Sequence, residues 1–191
     1  MKPGVFLDRD GTINRNPPRG GFVTRPDDLE LLPGAARAIA RLRGAGYATV
    51  VYSNQSGVAK GLLTIEDLAA VNARLKDLLA EEGAALDGIY SCPHEPGATC
   101  ECRKPAPGMI LRAARELDID LARSWAVGDA ARDLEAGRAA GCRTVFVHAD
   151  SYPGQRQKAE AAGVDASVPD LQAAVEAILA ARPGATPGES S

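Results

Sequence analysis

The chain has no apolar run near the ~20 residues that a membrane-crossing helix needs. Its first residues lack a charged segment leading into a long apolar stretch, so no secretion signal is read and a cytoplasmic location is expected. There is no basic excess: 22 Lys and Arg stand against 25 Asp and Glu, for a net charge of −3. Aromatic residues make up only 4% and form no stacking series, so the sequence gives no sign of a nucleic-acid or anionic-membrane surface. Internal repeats are absent. Cysteine is sparse, and three of the four cysteines fall within Cys92–Cys102. That clustering argues against a scattered disulfide framework and for a metal.

What remains is a chain of 191 residues, 45% hydrophobic and 25% charged, which suits one globular domain with a sizeable core. The domain is read as residues 1–182, and the Pro, Gly and Ser-rich segment 183–191 as a disordered tail. Short β-rich runs fall at Gly4–Leu7, Tyr47–Tyr52, Gly88–Ser91, Ser124–Val127 and Thr144–Val147, with a brief one at Ala166–Val168. Between them lie helical patterns. The first opens at Pro33-Gly34, and the second at Thr64 with Asp67 completing a capping box. Others begin at Pro107 and after Asp129, followed by Gln155–Ala162 and Asp170–Ala181. This alternation predicts an α/β fold, a three-layer parallel sheet with helices on both faces. Such folds place their sites at the carboxyl ends of the strands. Polar runs follow Leu7, Tyr52, Ser91 and Val127 at those ends.

The strand ending at Leu7 runs into Asp8-Arg9-Asp10-Gly11-Thr12. Carboxylates two apart on extended backbone share a side, and their repulsion calls for a cation or a proton. A metal-dependent phosphoryl-transfer site answers that need. Asp8 can be the nucleophile, and Asp10 can protonate the leaving oxygen and later deprotonate water. Asp129 can join Asp8 in holding Mg²⁺, a hard cation that takes oxygen ligands. Asp133, one helical turn on, can face the same metal from outside its ligand set. Ser53 can donate to a phosphoryl oxygen, and Lys104 can supply fixed positive charge. The polar loop 14–26 carries Arg15, Arg19 and Arg25 and reads as a binding loop. Cys92-x-His94-x5-Cys100-x-Cys102 offers four ligands suited to a closed, structural Zn²⁺ site. It leads straight into Arg103 and Lys104, so its expected purpose is to hold those two cations in place. Cys142 reads as a buried filler and His148 as a loop residue.

Asp8-x-Asp10-Gly11-Thr12, Ser53, Lys104 and Gly128-Asp129-x3-Asp133 resemble the four ordered motifs of the haloacid dehalogenase-like phosphatase superfamily. The resemblance spans residues 5–147. It implies a Rossmann-like sheet and an aspartyl-phosphate intermediate, with the main-chain oxygen of Asp10 on Mg²⁺. The segments between motifs hold single helices and loops, so no separate cap domain is expected. Ser53-Asn54-Gln55-Ser56-Gly57, Cys92-Pro93-His94 and Cys102-Arg103-Lys104-Pro105 further resemble the D-glycero-D-manno-heptose 1,7-bisphosphate 7-phosphatases. The histidinol-phosphate phosphatases are similar and form the alternative. A non-catalytic zinc-stabilised binding module is the alternative of a different class. The resemblance implies that Arg103 takes part in substrate recognition and that Asn54, Gln55 and Ser56 line the substrate site. Ala130 departs from the family pattern, which often has a cation there, and Arg19 is the expected replacement. The expected partner is a small phosphorylated substrate. No nucleic acid, membrane or second subunit is expected.

Overall fold

A computed structural model describes residues 1–18, 21–148 and 150–181. Its strands are β1 (Lys2–Leu7), β2 (Ala48–Asn54), β3 (Gly88–Cys92), β4 (Ile119–Gly128), β5 (Arg143–Val147) and β6 (Ala166–Val168). Its helices are α1 (Ala35–Gly44), α2 (Ile65–Glu81), α3 (Gly108–Leu117), α4 (Ala131–Ala139), α5 (Gln155–Ala161) and α6 (Leu171–Ala180). The strands make one parallel sheet in the order β3-β2-β1-β4-β5-β6. The order reverses beside β1, where open α/β sheets keep their binding crevice.

Alternation along the strands sorts the core into two layers. Val5, Leu7, Val51, Val127, Val145 and Val147 face α1, α2 and α6. Phe6, Val50, Tyr52 and Ala126 face α3 and α4. The helices supply matching apolar stripes, such as Ala35, Ala38, Ile39 and Leu42 on α1. Thr64 and Asp67 close the expected capping box on α2, at 3.0 and 2.8 Å. Gly137 lets α4 lie close on the sheet, because a Cβ there would collide with that of Ala126.

Two boundaries differ from expectation in ways that matter. β4 begins at Ile119 rather than Ser124, because a bulge shifts its register against β1 between Pro3 and Val5. Ser124 Oγ accepts a hydrogen bond from Gly4 N at 2.8 Å there. The polar residues of the bulged stretch hide the strand from any test of apolar pattern. β2 runs on through Ser53 and Asn54, so polar residues at its end are still part of the sheet. No separate cap domain is present among the described residues, where each connection holds at most one α-helix. No described helix is long and apolar enough to cross a membrane. The reading of 183–191 as a tail, and the substrate role given to Arg19, lie outside the described residues.

Candidate active site

Four strand ends deliver the site. β1 ends at Asp8, β2 carries Ser53, the loop after β3 brings Lys104, and β4 ends beside Asp129. All four are nearly or fully buried. Gly11 turns the chain after Asp10 at a φ of +83°, and a Cβ there would run into Asp129. This glycine therefore answers both a left-handed backbone and a close approach.

Carboxylate oxygens of Asp8, Asp129 and Asp133 all lie within 4.8 Å of one another. One ammonium stands among them. Lys104 Nζ is 2.8 Å from Asp8 Oδ1 and 2.7 Å from Asp133 Oδ1, and it donates to the Tyr52 carbonyl at 2.9 Å. It also lies over the Tyr52 ring at 4.3 Å, while the Tyr52 hydroxyl donates to the carbonyl of Asp133. Burial opposes the charge on Lys104, but Asp133 and Asp8 outweigh it and hold the amine firmly protonated. Three carboxylates against one ammonium leave two negative charges in a buried space. Burial and the charge of Asp133, against the pull of Lys104, push Asp8 up to about 6. Burial, Asp133 and Asp8 together push Asp129 well above the ordinary carboxylate range. An all-oxygen donor set with that charge excess fits a hard divalent cation such as Mg²⁺.

A pH dependence follows. The unfolded chain loses the Asp8 proton near the ordinary value of 3.8, while the folded, metal-free site keeps it up to about 6. The folded state therefore binds more protons between those values, and its stability falls as pH rises through that window. Asp129 acts in the same direction. The gain in Tm on adding Mg²⁺ should thus be larger at pH 7.5 than at pH 5. Differential scanning calorimetry at the two pH values tests this, and an equal or larger gain at pH 5 contradicts it.

Asp10 is held apart from that cluster. Arg9 is fully buried and grips it through Nε at 3.2 Å and Nη2 at 3.1 Å. Asn14 Nδ2 and Gln55 Nε2 each donate to Asp10 at 2.9 Å. Gln55 Nε2 also donates to Ser53 Oγ at 2.8 Å, so Gln55 ties Ser53 and Asp10 together. Ser56 is buried in the turn that follows. The Asn54 amide clamps the main chain of Lys104, accepting from Lys104 N and donating to Lys104 O, both at 3.1 Å. Asp133 likewise caps α4, accepting from Ala130 N at 2.9 Å.

Several site neighbours escaped the sequence reading. Arg9 stands as the variable residue of a motif, and only its burial shows its use. Asn16 Nδ2 donates to Asp129 Oδ2 at 2.7 Å and to the Asp150 carbonyl at 2.6 Å, while Asn16 N meets the Asp150 carboxylate. The Tyr152 hydroxyl donates to the Pro17 carbonyl at 2.6 Å. The loops after β1 and β5 are thereby clasped beside Asp129. A cavity of about 370 Å³ opens outward from Asn16, lined also by Pro17, Phe22 and Val23.

The second cluster lies directly before Lys104. Among Cys92 Sγ, His94 Nδ1, Cys100 Sγ and Cys102 Sγ, four of the six pairs lie 3.1 to 3.9 Å apart. Those are edges of the size a tetrahedral metal with ligands at roughly 2.0–2.3 Å requires. Burial and the neighbouring sulfurs of Cys92 and Cys100 push the Cys102 thiol up to about 12, a penalty that a bound cation removes. The donors fit Zn²⁺. Arg103 Nη1 donates to the His94 carbonyl at 2.8 Å, so the loop grips Arg103 directly and Lys104 through the chain.

The chain is similar to known proteins over most of its length. The HAD-hydrolase-like family profile matches residues 101–174. A D-glycero-beta-D-manno-heptose-1,7-bisphosphate 7-phosphatase of Photorhabdus laumondii is 40% identical over 184 residues, covering 92% of this chain and 96% of that protein. One from Bordetella bronchiseptica is 46% identical over 138 residues, covering 72% and 76%. The crystal structure of the D,D-heptose 1,7-bisphosphate phosphatase from B. bronchiseptica, complexed with magnesium and phosphate, matches with a TM-score of 0.82 at 40% identity. That match covers 94% of this chain and 98% of the other.

Proposed function

The chain belongs to the D-glycero-beta-D-manno-heptose-1,7-bisphosphate 7-phosphatases, within the HAD-hydrolase-like proteins, and from that membership we propose that it releases the 7-phosphate of this sugar bisphosphate through Asp8. It is a phosphoric monoester hydrolase acting on a small phosphorylated sugar, with Mg²⁺ as catalytic cofactor and Zn²⁺ in a structural role. The observation that carries the residue-level reading is the separation of two aspartates by environment. Asp8 lies in the carboxylate cluster against Lys104, while Asp10 is held by Arg9, Asn14 and Gln55.

In this reading a carboxylate oxygen of Asp8 attacks phosphorus. The bond to the sugar oxygen breaks, and that oxygen takes the proton of Asp10. The resulting aspartyl-phosphate is hydrolysed when Asp10 removes a proton from water, which returns Asp8 and inorganic phosphate. Ser53 and Lys104 stabilise the charge that gathers on the phosphoryl oxygens. Asp8 and Asp129 would hold Mg²⁺, with Asp10 contributing its main-chain oxygen, and the ion would supply neutralising charge to the phosphoryl group. Asp133 serves that site indirectly, by orienting Lys104 and capping α4. Asn54 acts likewise on the main chain of Lys104. Arg103, Asn54, Gln55 and Ser56 are substrate-binding proposals.

The test is kcat/KM on both anomers of the heptose bisphosphate and on histidinol phosphate. The heptose bisphosphate should exceed histidinol phosphate by about 10²-fold or more, the discrimination expected when site donors are left without partners. Equal, poor rates on all three would sink the assignment.

A further inference from the structure

Asn16 lies in the loop after β1 and reaches across to Asp129 at the end of β4. Its amide nitrogen donates to Asp129 Oδ2 at 2.7 Å and to the Asp150 carbonyl at 2.6 Å. Both partners are acceptors, so the nitrogen of the amide, with its two N–H groups, must be the atom that faces them. Two bonds in two directions fix the side chain. The main chain is held as well: Asn16 N meets the Asp150 carboxylate, and Tyr152 bonds to the carbonyl of Pro17, the next residue. Gly11 makes the room, because a Cβ there would fall 2.2 Å from Asn16 Nδ2 and 2.3 Å from Asp129 Oδ2. The turn at Gly11 and the loops after β1 and β5 thus converge on one bond, and that bond ends on a carboxylate of the buried acidic cluster.

The residue type suits the charges. Asp8, Asp129 and Asp133 already crowd the single ammonium of Lys104. An aspartate at position 16 would bring a further carboxylate against Asp129, beside Asp150. The amide has the same shape, adds no charge and donates. Its hold on Asp129 bears on the ion. Mg²⁺ is small and demands near-ideal octahedral geometry, which the narrow bite of both oxygens of one carboxylate spoils. Ca²⁺ is larger, takes more oxygens and accepts that bite. We propose that Asn16 is a positioning residue for the cation: it holds one oxygen of Asp129, leaves the other to the ion, and so favours Mg²⁺ over Ca²⁺. The inference rests on the reading of Asp129 as a Mg²⁺ ligand in a phosphatase, and adds the residue that sets how Asp129 binds.

The test compares the full, zinc-loaded chain as wild type, Asn16→Ala, Asn16→Leu and Tyr152→Phe. Calorimetric titration measures the affinity of each for Mg²⁺ and for Ca²⁺, without substrate. Asn16→Ala should weaken Mg²⁺ binding about 10- to 100-fold, the usual cost of removing a hydrogen-bond partner from a metal-ligating carboxylate. Ca²⁺ binding should weaken less, so the preference for Mg²⁺ should shrink. Asn16→Leu fills nearly the same space without donors and should behave alike, even where Asn16→Ala fails to fold. Tyr152→Phe loosens the same pair of loops but leaves the bond to Asp129, and should keep the wild-type preference. With the heptose bisphosphate, the Mg²⁺ concentration for half-maximal rate should rise in the Asn16 variants, while kcat at saturating Mg²⁺ changes less. An unchanged Mg²⁺ affinity in Asn16→Leu overturns the proposal. So does an equal loss for the two ions, or a loss of preference in Tyr152→Phe that matches Asn16→Leu, since either would reduce Asn16 to a prop for the loops. If the wild type leaves the heptose bisphosphate intact while Asn16→Leu still loses its preference, the substrate assignment fails and the role of Asn16 stands.

Discussion

Asp8→Asn should give a folded protein that binds Mg²⁺ weakly and turns over essentially no substrate. The amide has no carboxylate oxygen with which to form the phosphoryl ester, so kcat should fall by about 10⁴-fold or more, as when other covalent nucleophiles are removed. The fold should survive. Asp8 is one of three crowded carboxylates, and its replacement relieves repulsion from Asp133. Lys104 keeps Asp133 and the Tyr52 carbonyl as partners. Circular dichroism and a Tm equal to or above that of the metal-free wild type would separate lost chemistry from lost structure. A variant retaining a tenth of wild-type kcat would remove Asp8 from the role of nucleophile.

Cys100→Ser should strip or weaken the zinc and, through it, slow the reaction at a distance. A hydroxyl is a poor replacement for thiolate on zinc. Arg103 would lose the fixed carbonyl of His94, and Lys104 would be left with Asn54 as its main-chain anchor. Because that anchor and the ion pairs to Asp8 and Asp133 persist, the loss of kcat/KM should be partial, about 10- to 100-fold. Elemental analysis of the purified variant should show less than one zinc per chain, with a lowered Tm. A wild-type protein that is stable and fully active without zinc would refute the structural role.

The two variants probe what the sequence could and could not disclose. Asp8, Asp129 and Lys104 were legible because short-range rules fix them: each follows a recognisable strand or a motif with its own spacing. The gathering of Cys92, His94, Cys100 and Cys102 was legible for the same reason, since four donors in one loop need no knowledge of the fold. Arg9 was not, because its partners include Asn72 of α2, 63 residues away, and nothing local marks a buried guanidinium. The clasp of Asn16 with Asp150 and of Tyr152 with Pro17 joins loops that meet only once β1 and β5 lie in one sheet. The clamp of Asn54 on the Lys104 main chain joins residues 50 positions apart, which nothing local announces. The charge missing at Ala130 was sought in Arg19, which lies outside the described residues.

The position of β1 between β2 and β4 has a consequence for the order of events in synthesis. Asp8 leaves the ribosome early, yet its neighbours arrive late: Asn16 and Asp129, bonded across the site, are 113 residues apart. A parallel sheet offers no hairpin by which β1 could pair at once with its neighbours. Until β4 docks, the nucleophile of the proposed reaction has neither Asp129 nor Asp133 beside it, and the divalent cation has no complete set of ligands. The growing chain therefore carries an inert acid pair and becomes competent in a single late step. A proteolytic cut in which β1 and β4 part company would take activity from both pieces, however well each kept its helices.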